Sequence, residues 1–551
     1  MLTASVIKDL ISGLEGVVLI DGFSTNEDGS LWGRIEVEVS QGNEGLKWDV
    51  VISPYYPFKS MGVASIQFRN MHLLEYPHIM KDGSLCMHPK KHKDSESQFI
   101  CDLEFLKDWV KIYYLRGKKD AHYEHLIVNP HLVENEYYTF CFAETHESFP
   151  VGDFGLVYYT SLQKGWQVGN VINNFVVQKF ASKKYHKKEF ACKISSIYQI
   201  QNPNLGVYCL LKDPPAIHGK FIIEDYDHIR GLFSQEQKNY IYRFVLLLHK
   251  KSESVFPLFC GYKIPSGEIH WQAMVIFMDD LPIEAVRVGT GKERAWYTEF
   301  KSGKIPWART ENISYEYFFG RGAMPKELAN KRVLILGIGA VGSIVAETLT
   351  RCGAKYLTLY DVDQKEPGNV CRSAYSFFAG ITEKMQELRN ALNQISPHIE
   401  CTCLNQGLDY RLKTSSKEHR LEELSNFLDE YDIVLDCTTD NQLMWILDDI
   451  ESKAQLINLS ITNHAQELVC AFSPNVTDTI ETIFSLLSRD IDTDMYNPTG
   501  CWSPTFKASY NDVSSKVQFA VKHIVKMLTK TEPQSNFYIT ENDSILSVYK
   551  L

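Results

Sequence analysis

Extended runs dominate the start of the chain, at 15–21, 31–39 and 47–52, and predict strands. A helix-like segment, 5–14, precedes them. A turn-rich stretch with Pro54, Pro57, Pro77 and Pro89 follows, and then a helix predicted over 103–114, with Leu106, Trp109, Val110 and Tyr113 on one face. Between 131 and 310 short β-like runs prevail (155–160, 206–211, 271–278), broken by one helix, 235–250. From 311 onward the pattern alternates. A strand at 332–336 meets a glycine-rich turn and a helix over 343–351, and strands at 356–360, 432–435 and 456–459 follow. A late amphipathic helix over 514–528 places Val517, Val521, Ile524 and Leu528 on one face. Strands alternating with helices predict a parallel, doubly wound sheet. The expectation is a multidomain α/β protein: an α+β domain over 1–130, a mixed α+β connecting domain over 131–310 with no chemistry to name, and a Rossmann-like doubly wound domain over 311–551.

A length of 551 residues exceeds one core and agrees with several domains at ~150 residues each. The formal charge of −11 argues against a nucleic-acid binder, whose affinity comes largely from neutralising phosphates. No run approaches the ~18 apolar residues that span a bilayer, so no membrane partner is expected. The first residues lack a basic region followed by an apolar block, so no signal peptide is expected. Thirteen scattered cysteines fit a reducing, cytoplasmic setting better than a disulfide framework. None forms a Cys-x-x-Cys pair, so no structural zinc is expected.

The strongest local motif is Gly337-Ile338-Gly339-Ala340-Val341-Gly342 directly after an apolar strand. Glycines allow a tight turn and let backbone N–H groups approach phosphates at a helix N-terminus. Asp361 ends the next strand, where it can accept from a ribose hydroxyl. Alone, this also fits an NAD-dependent dehydrogenase. Downstream residues separate the two readings: Asp363, then Asn369 and Arg372, then Lys384 in a helix, then Asp436-Cys437-Thr438-Thr439-Asp440-Asn441 at a strand end. Hydride transfer has no use for Arg, Lys and a further acid around phosphates. A triphosphate does: the cations offset charge developing at the α-phosphate, and a carboxylate such as Asp440 holds Mg²⁺.

In this order and spacing, residues 330–470 resemble the ubiquitin-activating, MoeB/ThiF-type adenylyltransferases. The resemblance implies ATP and magnesium. It implies that Asp361 takes the ribose, that Asn369, Arg372 and Lys384 surround the phosphates beside Asn441, and that Asp440 manages Mg²⁺. The family also uses an arginine upstream of the first strand, for which Arg321 is the local candidate.

A protein adenylate leaks to water, whereas a thiolate captures it as a thioester that still reacts with amines. Cys501, in Gly500-Cys501-Trp502-Ser503-Pro504, reads as a loop nucleophile; a buried, inert cysteine is the alternative. Cys86 follows Tyr76-Pro77-His78-Ile79-Met80-Lys81-Asp82-Gly83-Ser84-Leu85, which resembles the active-site segment of ubiquitin-conjugating domains over about 5–120. His78 stands where that family has the asparagine that supports the oxyanion and orders the loop; a histidine can still donate a hydrogen bond. His88 is a second candidate neighbour of the thiol, against a plain loop histidine. Cys101, Cys352, Cys371 and Cys437 read as packing residues.

A conjugating-type domain fused to an activating-type domain resembles the bacterial fusion proteins of type II CBASS anti-phage operons. That resemblance implies a homodimer acting on the C-terminus of a cGAS-like nucleotidyltransferase. The expected relay passes the acyl group to Cys501, then Cys86, then lysine amines of target proteins. Conjugation of a bacterial ubiquitin-like protein is an open alternative, as is a sulfur-carrier adenylyltransferase in which Cys86 is dispensable. Remoter rivals are an NAD(P)-dependent oxidoreductase and a non-catalytic adaptor.

Overall fold

In the computed structural model the first helix, Ala4–Ser12, is capped by Thr3, whose hydroxyl accepts from Val6 N at 3.3 Å. The residues described are 2–39, 45–60, 62–119, 130–145, 149–184, 188–249, 255–288, 295–404, 417–488, 495–496, 505–543 and 545–551. The chain divides into two compact units, the first formed by 1–134, 150–154 and 207–309 and the second by 135–149, 155–206 and 310–551. The middle stretch of the sequence is thus shared between them.

In the first unit, strands Val17–Thr25, Leu31–Val37, Leu46–Ile52 and Ile66–Arg69 form a four-stranded antiparallel sheet in chain order. Alternate residues, Ile35 and Val37, then Trp48, Val50 and Ile52, then Ile66 and Phe68, turn to one face and are buried, as a period of two demands. They share a core with Phe99, Leu103, Leu106 and Val110, which recur at helical spacing. The helix carrying these runs Ser95–Trp109 and continues through a π-helical turn, Val110–Leu115. It starts eight residues before the predicted 103, because its polar first turn, Ser95-Glu96-Ser97-Gln98, masks the period. Asp94 caps it, accepting from Ser97 N at 2.8 Å.

A buried polar cluster fixes the segment after Cys86 to this helix. Tyr56 Oη and Gln98 Nε2 donate to the two oxygens of Asp102 at 2.7 and 2.8 Å. Gln98 Oε1 in turn accepts from His92 N at 2.6 Å. The remainder of this unit includes the antiparallel pair Val255–Lys263 and Ile269–Phe277, the helix Gln235–His249, and a two-strand hairpin, Ala216–Ile217 with Phe221–Ile222.

The second unit is organised by an eight-stranded sheet. Its order is Glu400–Cys403, Tyr356–Tyr360, Arg332–Leu336, Ile433–Asp436, Gln455–Thr462, Glu467–Phe472, Phe537–Asn542 and Ile545–Lys550. The first five strands are parallel and the last three antiparallel. The sheet is therefore mixed where an all-parallel one was predicted. Glu467–Phe472 is buried at every position and shows no alternation to read. Val333 and Ile335 join one apolar cluster with the helices Ala340–Arg351 and Tyr510–Leu528, while Leu334 and Leu336 join another with Val434, Met444 and Ile480. Helices thus cover both faces, which is why the strand reads as an unbroken apolar run.

Burial raises the Asp102 carboxyl above its ordinary value of 3.8, against the opposing hydrogen bonds from Tyr56 and Gln98. The folded unit therefore keeps this proton to higher pH than the unfolded chain. The resulting stabilisation is complete below the unfolded value and fades as pH rises through the raised one. At neutral pH, Asp102→Ala orphans two buried donors and is expected to cost about 1–3 kcal/mol for each left unpaired, measured by urea denaturation. A loss within experimental error would show that this cluster does not hold the segment.

Candidate active site

Two loops meet where the strand order reverses. Arg332–Leu336 pairs with Tyr356–Tyr360 on one side and Ile433–Asp436 on the other, and the chain leaves the carboxyl ends of all three on the same edge of the sheet. Such a switch point opens a crevice between loops. Gly337 has φ +74°, and its N–H donates to Tyr360 O at 2.9 Å. A Cβ at Gly337 would lie 2.8 Å from Thr438 Cα, and one at Gly342 only 2.0 Å from Gly337 O. Glycine is required at both positions because backbone occupies the space a side chain would take. At Gly339 a Cβ would meet nothing within 4 Å. Gly339 precedes the helix Ala340–Arg351, and no side chain caps its first N–H groups.

Asp361 is tied to this turn. One oxygen accepts from Ile338 N at 2.9 Å and the other from Asp363 N at 2.8 Å. Lys384, the first residue of the helix Lys384–Ile395, places Nζ 2.9 Å from Asp363 Oδ2 and 3.7 Å from Asp361 Oδ1. Both Asp361 and Lys384 are largely buried, with side chains 8% and 11% exposed. On the neighbouring strand end, Asp436 accepts from Thr438 N, Thr438 Oγ1 and Asn458 Nδ2 at 3.0, 2.7 and 2.9 Å. Burial raises its carboxyl above the ordinary value. Thr439 follows at φ +56°, uncommon for a β-branched residue. Asp440 then caps the helix Asn441–Asp448 through Oδ1, which accepts from Gln442 N at 2.9 Å and Leu443 N at 3.3 Å. Asp440 and Asn441 are exposed at the crevice edge.

Arg372 and Asn369 lie on the short turn Pro367–Arg372. Arg372 donates to Phe506 O at 3.0 Å and stacks its guanidinium 4.5 Å from the Phe506 ring; burial pulls its pKa below the ordinary value. Asn369 Oδ1 accepts from Glu366 N at 2.9 Å and so shapes the turn. Arg321 is exposed between the short helices Tyr315–Phe318 and Lys326–Ala329.

The structure thus links the glycine turn, Asp361 and Lys384 by these bonds and sets Thr438 against Gly337, whereas Asn369 and Arg372 bond to Glu366 and Phe506 instead. Cys501 lies outside the described residues. Cys437 is a buried packing residue, its thiol pushed well up by burial, whereas Cys371 is exposed with Sγ 3.2 Å from Gly368 O, contrary to the packing role read from sequence. Among the described residues no three His, Cys, Asp or Glu side chains cluster as a metal site. An octahedral Mg²⁺ that keeps waters and takes phosphate oxygens needs only one or two carboxylates, and the exposed Asp440 beside a Cβ-excluding turn fits that demand.

Three further supports of the site carry no local sequence signal. Tyr375 Oη donates to Ile338 O at 2.5 Å, and Ser343 Oγ accepts from Ala374 N at 3.1 Å. Lys365, fully buried, pairs with Glu387 at 2.5 Å and donates to Ser376 O at 2.7 Å. In sequence, Gln364-Lys365-Glu366 looks like ordinary surface; only the distant glutamate marks it.

The Cys86 loop lies in the first unit. Cys86 N donates to His78 O at 2.7 Å, and Cys86 Sγ lies 3.3 Å from His88 Nε2. His78 adopts φ +63° and turns its ring to Tyr113, with Nε2 3.1 Å from Tyr113 Oη. Asp82 and Gly83 form the turn before the cysteine: Asp82 accepts from Ser84, which lowers its carboxyl against the opposing effect of burial, and Gly83 has φ +76°.

Residues 312–542 match the model of the ThiF family. The chain is 28% identical over 290 residues to the ATP-dependent ubiquitin transferase-like protein Cap2 of Enterobacter hormaechei subsp. hoffmannii, covering 50% of this chain and 46% of that protein. It is 35% identical over 112 residues to the molybdopterin-synthase adenylyltransferase of Escherichia coli, covering 20% and 41%. The match to ubiquitin-like modifier-activating enzyme 5 of Caenorhabditis elegans is 30% over 112 residues, covering 20% and 27%. The matched segments span less than half the length of each of these relatives. Among solved structures, E. coli MccB with ATP aligns at a TM-score of 0.30 and 17% identity, over 41% of this chain and 64% of that one.

Gly342→Ala is expected to destabilise the second unit by about 1–3 kcal/mol, since overpacking moves backbone. Gly368→Ala, where a Cβ meets nothing within 4 Å, should be near neutral in the same thermal melt. Equal effects at the two positions would contradict the close approach.

Proposed function

We propose that the chain adenylates the C-terminal carboxylate of a partner protein and transfers it, through thioesters on Cys501 and then Cys86, to lysine amines. The observation that carries the first half is the meeting of the Gly337–Gly342 turn with the 437–440 loop at adjacent strand ends. The similarity of residues 312–542 to the ThiF family supports it. The second half is supported by the Cys86–His88 contact and by a first unit in which a helix, an antiparallel sheet, a cysteine loop and a second helix follow in the order of ubiquitin-conjugating domains.

The turn's N–H groups at the start of the helix Ala340–Arg351 receive phosphate oxygens. Asp361, already anchored to Ile338 N and Asp363 N, has remaining lone pairs to accept from a ribose hydroxyl. Lys384 and Arg372 hold the phosphates, the latter by turning its guanidinium from Phe506. Asp440 would hold magnesium, which would offset charge on the phosphates. The partner's carboxylate oxygen attacks the α-phosphorus, the bond to the bridging oxygen breaks and pyrophosphate leaves. The Cys501 thiolate attacks the acyl carbon and AMP leaves. The Cys86 proton moves to His88 Nε2, the resulting thiolate takes the acyl group and the Cys501 thiolate departs. A lysine amine then attacks, loses its proton and expels the Cys86 thiolate, leaving an isopeptide bond.

From the resemblance of the two fused domains to CBASS fusion proteins, the proposed partner is a cGAS-like nucleotidyltransferase rather than a ubiquitin-like protein, and the proposed setting is a cytoplasmic homodimer in anti-phage defence; similarity to an ATP-dependent ubiquitin transferase-like protein supports the transfer step alone. Among the described residues no helix is long and apolar enough to cross a membrane.

Purified protein with ATP, magnesium and the product of the adjacent reading frame is expected to give a thiol-sensitive adduct on a non-reducing gel. Cys501→Ala should abolish it. Cys86→Ala should trap it on Cys501 and yield no amine conjugate; a normal conjugate yield from that variant would sink the relay. His88→Gln should slow loading of Cys86 about a hundredfold near neutral pH, as loss of a general base does, and loading at the wild-type rate would remove His88 from the mechanism.

A further inference from the structure

We propose that Lys220, on the hairpin Ala216–Ile217/Phe221–Ile222, is a positioning residue for Cys86, so that part of the connecting stretch belongs to the conjugation site. This rests on the reading of Cys86 as an acyl carrier. Four successive carbonyls, those of residues 76 to 79, each meet a donor. Pro77 O accepts from Trp109 Nε1 at 3.0 Å, and His78 O accepts from Cys86 N at 2.7 Å. The two flanking carbonyls, Tyr76 O and Ile79 O, both accept from Lys220 Nζ, the latter at 2.7 Å. An ammonium has three donors and no acceptor, so one cation can bind two carbonyls whose negative ends converge.

The geometry makes the thiol's place depend on that cation. His78 sits between the two gripped carbonyls at φ +63°, a conformation that needs support from its surroundings. The carbonyl of that residue anchors the Cys86 amide. Isolated bridging between Ile79 and Leu85 closes the same loop from within. Two further pairs join the hairpin region to the loop's rim: Lys81 with Glu224 at 2.5 Å and His218 with Glu75 at 3.7 Å. Both are well exposed and so contribute little on their own. Lys220 is half-buried and carries the attachment.

Positioning predicts a defect in reaction as well as in order. The full-length protein is incubated, without ATP, with a short glycine-ended peptide thioester of 2-mercaptoethanesulfonate. The Cys86 thiolate attacks the acyl carbon, the small thiolate leaves, and acylation of Cys86 is followed by mass spectrometry. Hydrogen exchange at the Cys86 amide is measured in parallel, with amides of Ser95–Trp109 as the folding control. Lys220→Met should slow Cys86 acylation at least about tenfold, the scale of a small misplacement of a reacting group, and speed exchange at the Cys86 amide while the helix stays protected. Lys220→Arg, which keeps charge and donors, should retain most of the rate, and Lys220→Gln should fall between. Wild-type acylation in Lys220→Met, or an unchanged Cys86 amide, would overturn the proposal. A wild-type Cys86 that takes no acyl group, with an amide that still responds to Lys220→Met, would leave the positioning contact standing and overturn the acyl-carrier reading instead.

Discussion

The second unit depends on one close approach: the glycine turn after Leu336 lies so near Thr438 that no Cβ fits at Gly337, and it folds so tightly on itself that none fits at Gly342. Parallel pairing of Arg332–Leu336 with Ile433–Asp436 brings the two strand ends side by side, and their backbones then define the crevice wall. Everything polar around it serves that contact. Asp361 braces Ile338 N from one side and Tyr375 braces Ile338 O from the other. The buried Lys365–Glu387 pair fixes the crossing segment that carries Tyr375. Removing one partner of such a pair strands the other charge and is costly, typically about 3–5 kcal/mol, so it commits the segment to one path.

The Cys86 loop solves a different problem. Ile79 and Leu85 anchor the loop in the core, whereas Cys86 itself is only partly buried. Here the loop is held through its carbonyls, from outside by Lys220 and from beneath by Trp109, while Sγ faces His88. The buried Asp102 cluster then fixes His92, four residues past His88, to the helix behind.

The legible parts of this protein were the local ones. A glycine turn between an apolar strand and a helix is written in adjacent residues, as is the Asp82-Gly83 turn before Cys86. Features set by distant partners left no trace. Nothing in the sequence around Lys220 points to Tyr76 and Ile79, and Lys365 looks like surface until Glu387 covers it. The start of the helix at Ser95 was hidden by a polar turn, and Glu467–Phe472 by burial on both faces. Arg372 was expected to face phosphates, and its stacking on Phe506 came only with the fold.

The central claim is that the crevice activates a carboxylate with ATP. Exchange of labelled pyrophosphate into ATP in the presence of the partner protein tests it before any cysteine acts. Exchange is expected in the wild-type chain and in a chain lacking both Cys86 and Cys501, with loss in Asp440→Ala. Exchange that survives Asp440→Ala unchanged, or none in the well-folded wild-type chain, would contradict it.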